Sequence, residues 1–123
     1  MGKELLLHVI ERIERAKTVD DVVVITTSTP ENPIVDLCIN AGIKYYKGSE
    51  TDLLDRHYQA TKLYDADFVV KVPLDCPLSD HRVVDEVISL WKEYQDSYDY
   101  VSNYHPPTFP DGLDISLCLL SLV

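Results

Sequence analysis

The chain has 123 residues, of which 46% are hydrophobic and 26% are charged, and its formal net charge is −10. This composition is that of an ordinary soluble globular protein, and the length fits a single domain spanning residues 1–123. The acidic excess argues against nucleic acid or an anionic membrane as the main partner. An anionic small substrate would therefore need a cation or a few well-placed basic side chains.

The three cysteines are widely spaced and form no Cys-x-x-Cys motif, so neither a disulfide framework nor a zinc site is implied. The N-terminal segment lacks the apolar core of a signal peptide, and no apolar run reaches membrane-spanning length. These features predict a cytoplasmic protein with reduced thiols.

Helical and strand-like patterns alternate along the chain. Asn32 and Pro33 are expected to begin the second helix and Gly42 to end it, while Ser49 or Thr51 is the expected cap of the third. Such alternation predicts βαβ units in an α/β fold with a mostly parallel sheet. In chain order the patterns predict a helix at 4–17, a strand at 22–25, a helix at 33–41, a strand at 43–46, a helix at 52–64, a strand at 68–72, a helix at 83–94 with a buried stripe ending at Tyr94, a strand at 100–102 and a further strand at 113–117.

Two acidic residues are candidate metal ligands. Asp75 ends an apolar run and is followed by Cys-Pro, and ligands of open α/β sheets lie beyond the carboxyl ends of the strands. Asp114 closes an Asp-Gly loop and precedes a strand, so both carboxylates could meet at one edge and hold Mg²⁺. A loop aspartate that caps the next helix explains Asp75 equally well, and local signal favours a turn residue for Asp114.

Basic and polar residues near the same edge are further candidates. Arg56 lies in the first turns of a helix, where a cation is mildly disfavoured, so either an external anion or an ion pair with Asp52 or Asp55 is expected. Lys71 interrupts an apolar strand, which indicates an anion contact or an edge strand. Ser28 lies in the polar turn at 26–29 that is expected to follow the first strand, and its hydroxyl could bind a sugar or a base or serve ordinary turn chemistry.

Other active-site motifs are missing. The histidines at 57, 81 and 105 show no metal-binding spacing and are predicted to lie on the surface. No nucleophile elbow, Walker loop or Gly-x-Gly-x-x-Gly occurs, which argues against nucleophilic hydrolysis and the usual dinucleotide binding.

Several short stretches, taken in order, resemble the cytidylyltransferase family typified by spore coat polysaccharide biosynthesis proteins and related to the acylneuraminate cytidylyltransferases. The matching stretches are LLHVIER at 6–12, GSETDLLDR at 48–56, DCPL at 75–78, YVSN at 100–103 and FPDGLD at 109–114. The resemblance implies a three-layer Rossmann-like fold of the nucleotide-diphospho-sugar transferase type. It also implies transfer of CMP from CTP to a sugar or sugar acid, with release of pyrophosphate, for cell-surface or spore-coat polysaccharide synthesis.

The resemblance also implies roles for individual residues. Asp75 would anchor Mg²⁺ and Asp114 would be its second ligand, while Arg56 and Lys71 would contact phosphate or a sugar carboxylate during catalysis. The expected substrate-binding residues are Ser28, Asn103 and Asp111.

Departures from the family pattern give an alternative. The chain opens on a helix without the family's leading strand and its Gly- and Arg-containing loop, and Ser116 stands where the family has a glutamate. The apolar tail at 117–123 has no helix to cover it. These features predict a truncated chain, and they leave open a catalytically inactive binding module or a subunit that pairs with another chain, including a second copy of itself.

Overall fold

A computed structural model describes residues 4–73, 78–103 and 116–119. Residues 118 and 119 are described by their backbone only. The predicted alternation of helices and strands is confirmed in these ranges. The elements in chain order are α1 (Leu5–Ile13), β1 (Val24–Thr27), α2 (Pro33–Ala41), β2 (Tyr45–Gly48), α3 (Leu53–Leu63), β3 (Phe68–Lys71), α4 (His81–Tyr94), β4 (Tyr100–Ser102) and β5 (Ser116–Leu119).

The first two strands lie two residues later than their sequence patterns indicate. β1 and β2 pair in parallel, with Val24 opposite Tyr45 and Thr27 opposite Gly48. Thr26 and Thr27 therefore belong to β1, although the sequence suggested a polar turn there. Long-range pairing set these bounds, because a short apolar run has no local signal that marks its last paired residue.

Helix α1 ends at Ile13, four residues before its predicted end. The amide N–H groups of Lys17 and Thr18 donate to the carboxylate of Asp85 on α4, at 3.0 and 2.9 Å. An acceptor from a distant part of the chain thus satisfies backbone donors that a longer helix would have bonded internally.

The predicted caps are confirmed in α2, whereas the cap predicted for α3 is wrong. In α2 the Asn32 side chain accepts from the Ile34 N–H and Gly42 ends the helix with φ of 69°, as predicted. The prediction of Ser49 or Thr51 as the α3 cap is wrong, because Asp52 accepts from the Asp55 N–H at 2.9 Å. Ser49 instead stabilises the turn before the helix, since its hydroxyl accepts from the Asp52 N–H at 3.0 Å.

The described strands form two sheets. β1 and β2 make a parallel pair, and the order in the second sheet is β3-β5-β4, with β5 antiparallel to both neighbours. The predicted α/β fold is confirmed. Lys71 and Ser102 both lie opposite Ser116, so the carboxyl ends of β3 and β4 flank the amino end of β5.

Helix α1 packs into two hydrophobic clusters. Val9 and Ile13 join residues of α4 and β5, while Leu6 and Ile10 join Val24 of β1 and Cys38 of α2. Alternating positions of one helix therefore cover both sheets, as expected for a wide apolar stripe. None of the helices in the described ranges has the length and apolarity needed to cross a bilayer.

One predicted core residue is not in the core. Tyr94 ends α4 and is 46% exposed, whereas Trp91, one turn earlier, is 6% exposed and packs on Phe68 with ring centroids 4.6 Å apart. The buried stripe of α4 thus ends at Trp91.

Candidate functional site

The carboxyl ends of β1 and β2 are joined by a backbone hydrogen bond from Ser28 N–H to the Gly48 carbonyl, at 3.0 Å. The hydroxyl of Thr26 is buried and accepts from the Asn32 side-chain amide at 3.0 Å, so it serves the fold. Thr27 shares a hydrogen bond of 2.7 Å with Thr29. Ser28 is exposed at this edge, which leaves its side chain accessible to a ligand.

Arg56 packs against the end of β2. Its Nη1 donates to the Ser49 carbonyl at 3.2 Å, and its Nε is buried with no hydrogen-bond partner among the described residues. A Cβ added at Gly48 would lie 2.7 Å from Arg56 Cγ, so only glycine permits this close approach. A buried guanidinium N–H without a partner costs free energy, and an anion would satisfy it.

The ion-pair explanation of Arg56 is wrong for the part of the chain that the structure describes. The Asp52 carboxylate caps α3 by accepting from the Asp55 N–H, and the Asp55 carboxylate accepts from Gln59 Nε2 at 3.2 Å. Neither forms an ion pair with Arg56, and the described ion pairs lie elsewhere. The external-anion explanation is therefore the one that the geometry favours.

His57 of α3 is half-buried. Its Nδ1 donates to the Leu53 carbonyl at 2.8 Å, since a carbonyl can only accept. Burial lowers the pKa of His57, this hydrogen bond opposes the change, and the positive charges of Lys71 and Arg56 lower the pKa further. The charges of Arg56 on α3 and of Lys71 on β3 thus both influence this ring.

Lys71 is exposed at the carboxyl end of β3. In the described sheet β3 is bonded only to β5 and is an edge strand, which accounts for a lysine in an apolar run. Its charge also influences His57 of α3. The edge position of β3 is confirmed in the described sheet, and the anion contact of Lys71 stays a prediction.

Asn103 directly follows β4 and is 5% exposed. Ser102 and Lys71 both lie opposite Ser116, so Asn103 follows the end of β4 that is level with the carboxyl end of β3. Asp75, Asp111 and Asp114 lie outside the described residues, as does His105. Within residues 4–73, 78–103 and 116–119 no three acidic, histidine or cysteine side chains form a metal-binding group.

Asp75 and Asp114 stay predictions as metal ligands. Asp75 follows Lys71 by four positions in the sequence, and Asp114 precedes Ser116 by two. Lys71 and Ser116 are paired in the described sheet, while the two acidic residues themselves lie outside the described ranges. Carboxylate oxygens are the donors that Mg²⁺ prefers, so the chemistry of the two side chains fits this ion.

The backbone contacts of one basic residue were missed by sequence reasoning. Arg12, near the end of α1, donates through Nε to the Ser79 carbonyl at 2.8 Å and through Nη2 to the Leu78 carbonyl at 3.3 Å. Only the match of residues 6–12 to a family pattern singled out this position, and a charged residue on an amphipathic helix otherwise predicts a solvent contact.

The cytidylyltransferase family model matches residues 1–109. The chain belongs to the cytidylyltransferase family. Over 106 residues it is 38% identical to an uncharacterized protein of Methanocaldococcus jannaschii, a match that covers 83% of this chain and 42% of that protein.

Two solved structures are similar to this cytidylyltransferase chain. A cytidylyltransferase from Leptospira borgpetersenii superposes with a TM-score of 0.92 at 30% identity, and the match covers 99% of this chain and 52% of that one. CMP:2-keto-3-deoxy-manno-octonic acid synthetase, in complex with CTP, superposes with a TM-score of 0.76 at 15% identity, over 99% and 66% of the two chains. The second likeness shows the fold alone. The chain thus spans about half the length of its closer relatives.

Proposed function

We propose that this chain is part of an enzyme that transfers CMP from CTP to a sugar or sugar acid. A hydroxyl oxygen of the acceptor attacks the α-phosphorus of CTP and gives its proton to solvent. The bond from that phosphorus to the bridging oxygen breaks, and pyrophosphate leaves with the bonding electrons. Family membership supports the nucleotide, and on this chain the proposal is carried by the buried Nε of Arg56, which has no hydrogen-bond partner among the described residues.

Charge explains why the basic groups matter. The chain carries a net charge of −10, so a triphosphate approaching it is repelled except where cations gather. Lys71 lies at the carboxyl end of β3, Arg56 of α3 packs against the carboxyl end of β2, and both charges influence the ring of His57. Preorganised cations of this kind stabilise charge that develops on transferring phosphoryl groups.

Asp75 and Asp114 are the residues we propose to hold Mg²⁺. The argument rests on their oxygen chemistry and on the Lys71–Ser116 pairing described above. When bound, the ion would neutralise part of the triphosphate charge. Ser28 and Asn103, at the ends of β1 and β4, are proposed to hydrogen-bond the substrates, together with Asp111.

Isothermal titration of CTP in the presence of Mg²⁺ tests these roles. Arg56→Ala should weaken CTP binding by about tenfold or more, the equivalent of about 1.4 kcal/mol, because it removes a charged donor. Lys44→Ala is the matched control, since Lys44 precedes the opposite end of β2 and pairs with Asp21. Equal affinity of wild type and Arg56→Ala would overturn the anion site, and equal affinity of wild type and Asp75→Ala would overturn the role of Asp75.

A use in spore-coat or other cell-surface polysaccharide synthesis is part of the same proposal, because activated sugars supply such polymers. Incubating the protein with CTP and individual sugar acids, and following pyrophosphate release, tests the acceptor. Release that does not depend on any sugar or sugar acid would contradict the proposal.

The alternative of a subunit that pairs with another chain has one observation in its favour. β1 and β3 each have one neighbour in the described sheets, and their free edges can pair with a further strand. Size-exclusion chromatography with light scattering tests this, and a monomer at high protein concentration would argue against it.

A further inference from the structure

The ring of Tyr46 and the side chain of Arg56 meet over Gly48. A methyl group placed on Gly48 would lie 2.7 Å from Arg56 Cγ and 2.8 Å from Tyr46 Cε1. Tyr46 and Gly48 lie on the same face of β2, because side chains alternate along a strand and residues two apart share a face. The aromatic ring therefore flanks the aliphatic stem of the arginine at the end of this strand.

The Arg56 side chain is restrained along its whole length. Its stem lies against the Gly48 backbone, with the Tyr46 ring beside it. Its far end is held by the hydrogen bond from Nη1 to the Ser49 carbonyl, at 3.2 Å. The Nε between these contacts is buried and has no hydrogen-bond partner among the described residues. The arginine is thus fixed at its stem and at its tip, while a donor between them is left unsatisfied.

Fixing a flexible cation before a ligand arrives raises its affinity for that ligand. An arginine that is free in solvent loses rotamer entropy when an anion orders it, and this loss weakens binding. A side chain that is already held in one conformation avoids most of that loss. The contact that Tyr46 makes near Gly48 comes from a ring carbon, whereas its hydroxyl has no hydrogen bond within the ranges that the structure describes. The ring is therefore the part of Tyr46 that restrains the arginine.

We propose that Tyr46 is a positioning residue for Arg56. Its ring holds the guanidinium in the orientation in which that group meets the phosphates of CTP. This inference rests on the proposed function, because it takes the triphosphate as the anion, and it gives β2 a side chain that sets nucleotide affinity through another residue. A tyrosine that only fills space would lower stability when replaced, without a loss of affinity that depends on Arg56.

Isothermal titration of CTP with Mg²⁺ tests the positioning role. Tyr46→Leu removes the ring and should weaken CTP binding about threefold to tenfold, the range expected when one long side chain must be ordered on binding. Tyr46→Phe keeps the ring and should restore the affinity of wild type. Tyr64→Leu is the matched control, since Tyr64 follows the far end of α3, its hydroxyl donates to the Tyr45 carbonyl at 3.3 Å, and CTP affinity should not change.

A double-mutant cycle separates positioning from packing. In an Arg56→Ala background Tyr46→Leu should cause no further loss of CTP affinity, because the group that it positions is gone. Urea unfolding of each variant confirms that it is folded. Nitrogen-15 relaxation of the Arg56 Nε–H group gives a readout that needs no ligand, and this group should be more mobile in Tyr46→Leu than in wild type or Tyr64→Leu.

The outcomes distinguish this role from the function on which it rests. Equal CTP affinity of wild type and Tyr46→Leu would overturn the positioning role alone. An equal loss in Tyr64→Leu, a loss of the same size in the Arg56→Ala background, or an unchanged mobility of the Arg56 Nε–H group would do the same. Failure of wild type to bind CTP, or equal affinity of wild type and Arg56→Ala, would overturn the proposed anion site and this role together.

Discussion

The carboxylate of Asp85 accepts three hydrogen bonds from the chain that follows α1. Its Oδ2 accepts from the Lys17 N–H at 3.0 Å, and its Oδ1 accepts from the Thr18 N–H at 2.9 Å and from the Thr18 hydroxyl at 2.5 Å. A hydrogen bond to a charged group contributes about 1.5–3 kcal/mol when buried, and solvent reduces that value at the exposed Lys17 contact. We therefore expect Asp85→Ala to lower the free energy of unfolding by about 2–3 kcal/mol near neutral pH.

The same carboxylate makes this loss depend on pH. Burial by itself raises the pKa of Asp85, but the hydrogen bonds from Thr18 and Lys17 outweigh it and hold the pKa below its ordinary value of 3.8. A group with a lowered folded-state pKa stabilises the protein above its unfolded-state pKa, and that contribution is lost as pH falls through the folded-state value. The difference between wild type and Asp85→Ala should therefore be constant near neutral pH and shrink in acid.

Urea unfolding followed by circular dichroism, repeated over a series of acidic and neutral buffers, measures both effects. Glu86→Ala is the control, because Glu86 is exposed on the same turn of α4 and should change stability by less than about 0.5 kcal/mol. A double-mutant cycle with Thr18→Ala should give a coupling of about 1 kcal/mol or more between the two side chains. Equal stability of wild type and Asp85→Ala at neutral pH, or a difference that stays constant in acid, would refute the reasoning.

Two further predictions concern buried contacts near β2 and α2. Gly48→Ala should destabilise the fold by about 1–3 kcal/mol, because the new methyl would lie 2.7 Å from Arg56 Cγ. Urea unfolding measures this cost, which should be smaller when Gly48→Ala is made in an Arg56→Ala background than in wild type. An equal cost in both backgrounds would contradict the proposed contact. Cys38 is 0% exposed and burial raises the pKa of its thiol, so a thiol reagent should label it only after unfolding, as mass spectrometry of the peptides can show. Rapid labelling of Cys38 in the native protein would contradict this prediction.

Local chemistry determined the elements whose ends carry their own signals. Asn32, Pro33 and Gly42 define α2 because a side-chain acceptor, a proline ring and a left-handed glycine each act within a few residues. The alternation of apolar runs and amphipathic stretches likewise led to the α/β fold, since burial imposes these periods on the sequence. Arg56 was recognised as a candidate anion ligand because its charge is unfavourable at that point of a helix.

Other features depended on residues far apart in the chain. The shift of β1 to Val24–Thr27, the early end of α1, and the antiparallel course of β5 follow from pairing partners and distant acceptors that no local pattern contains. The partial burial of the His57 ring and the hydrogen bonds from Arg12 to the Leu78 and Ser79 carbonyls likewise depend on the tertiary structure. The sequence alone thus indicated the kind of fold and which strand ends carry polar groups. Folding brought particular groups together, because hydrogen bonds and burial act through space and not along the chain.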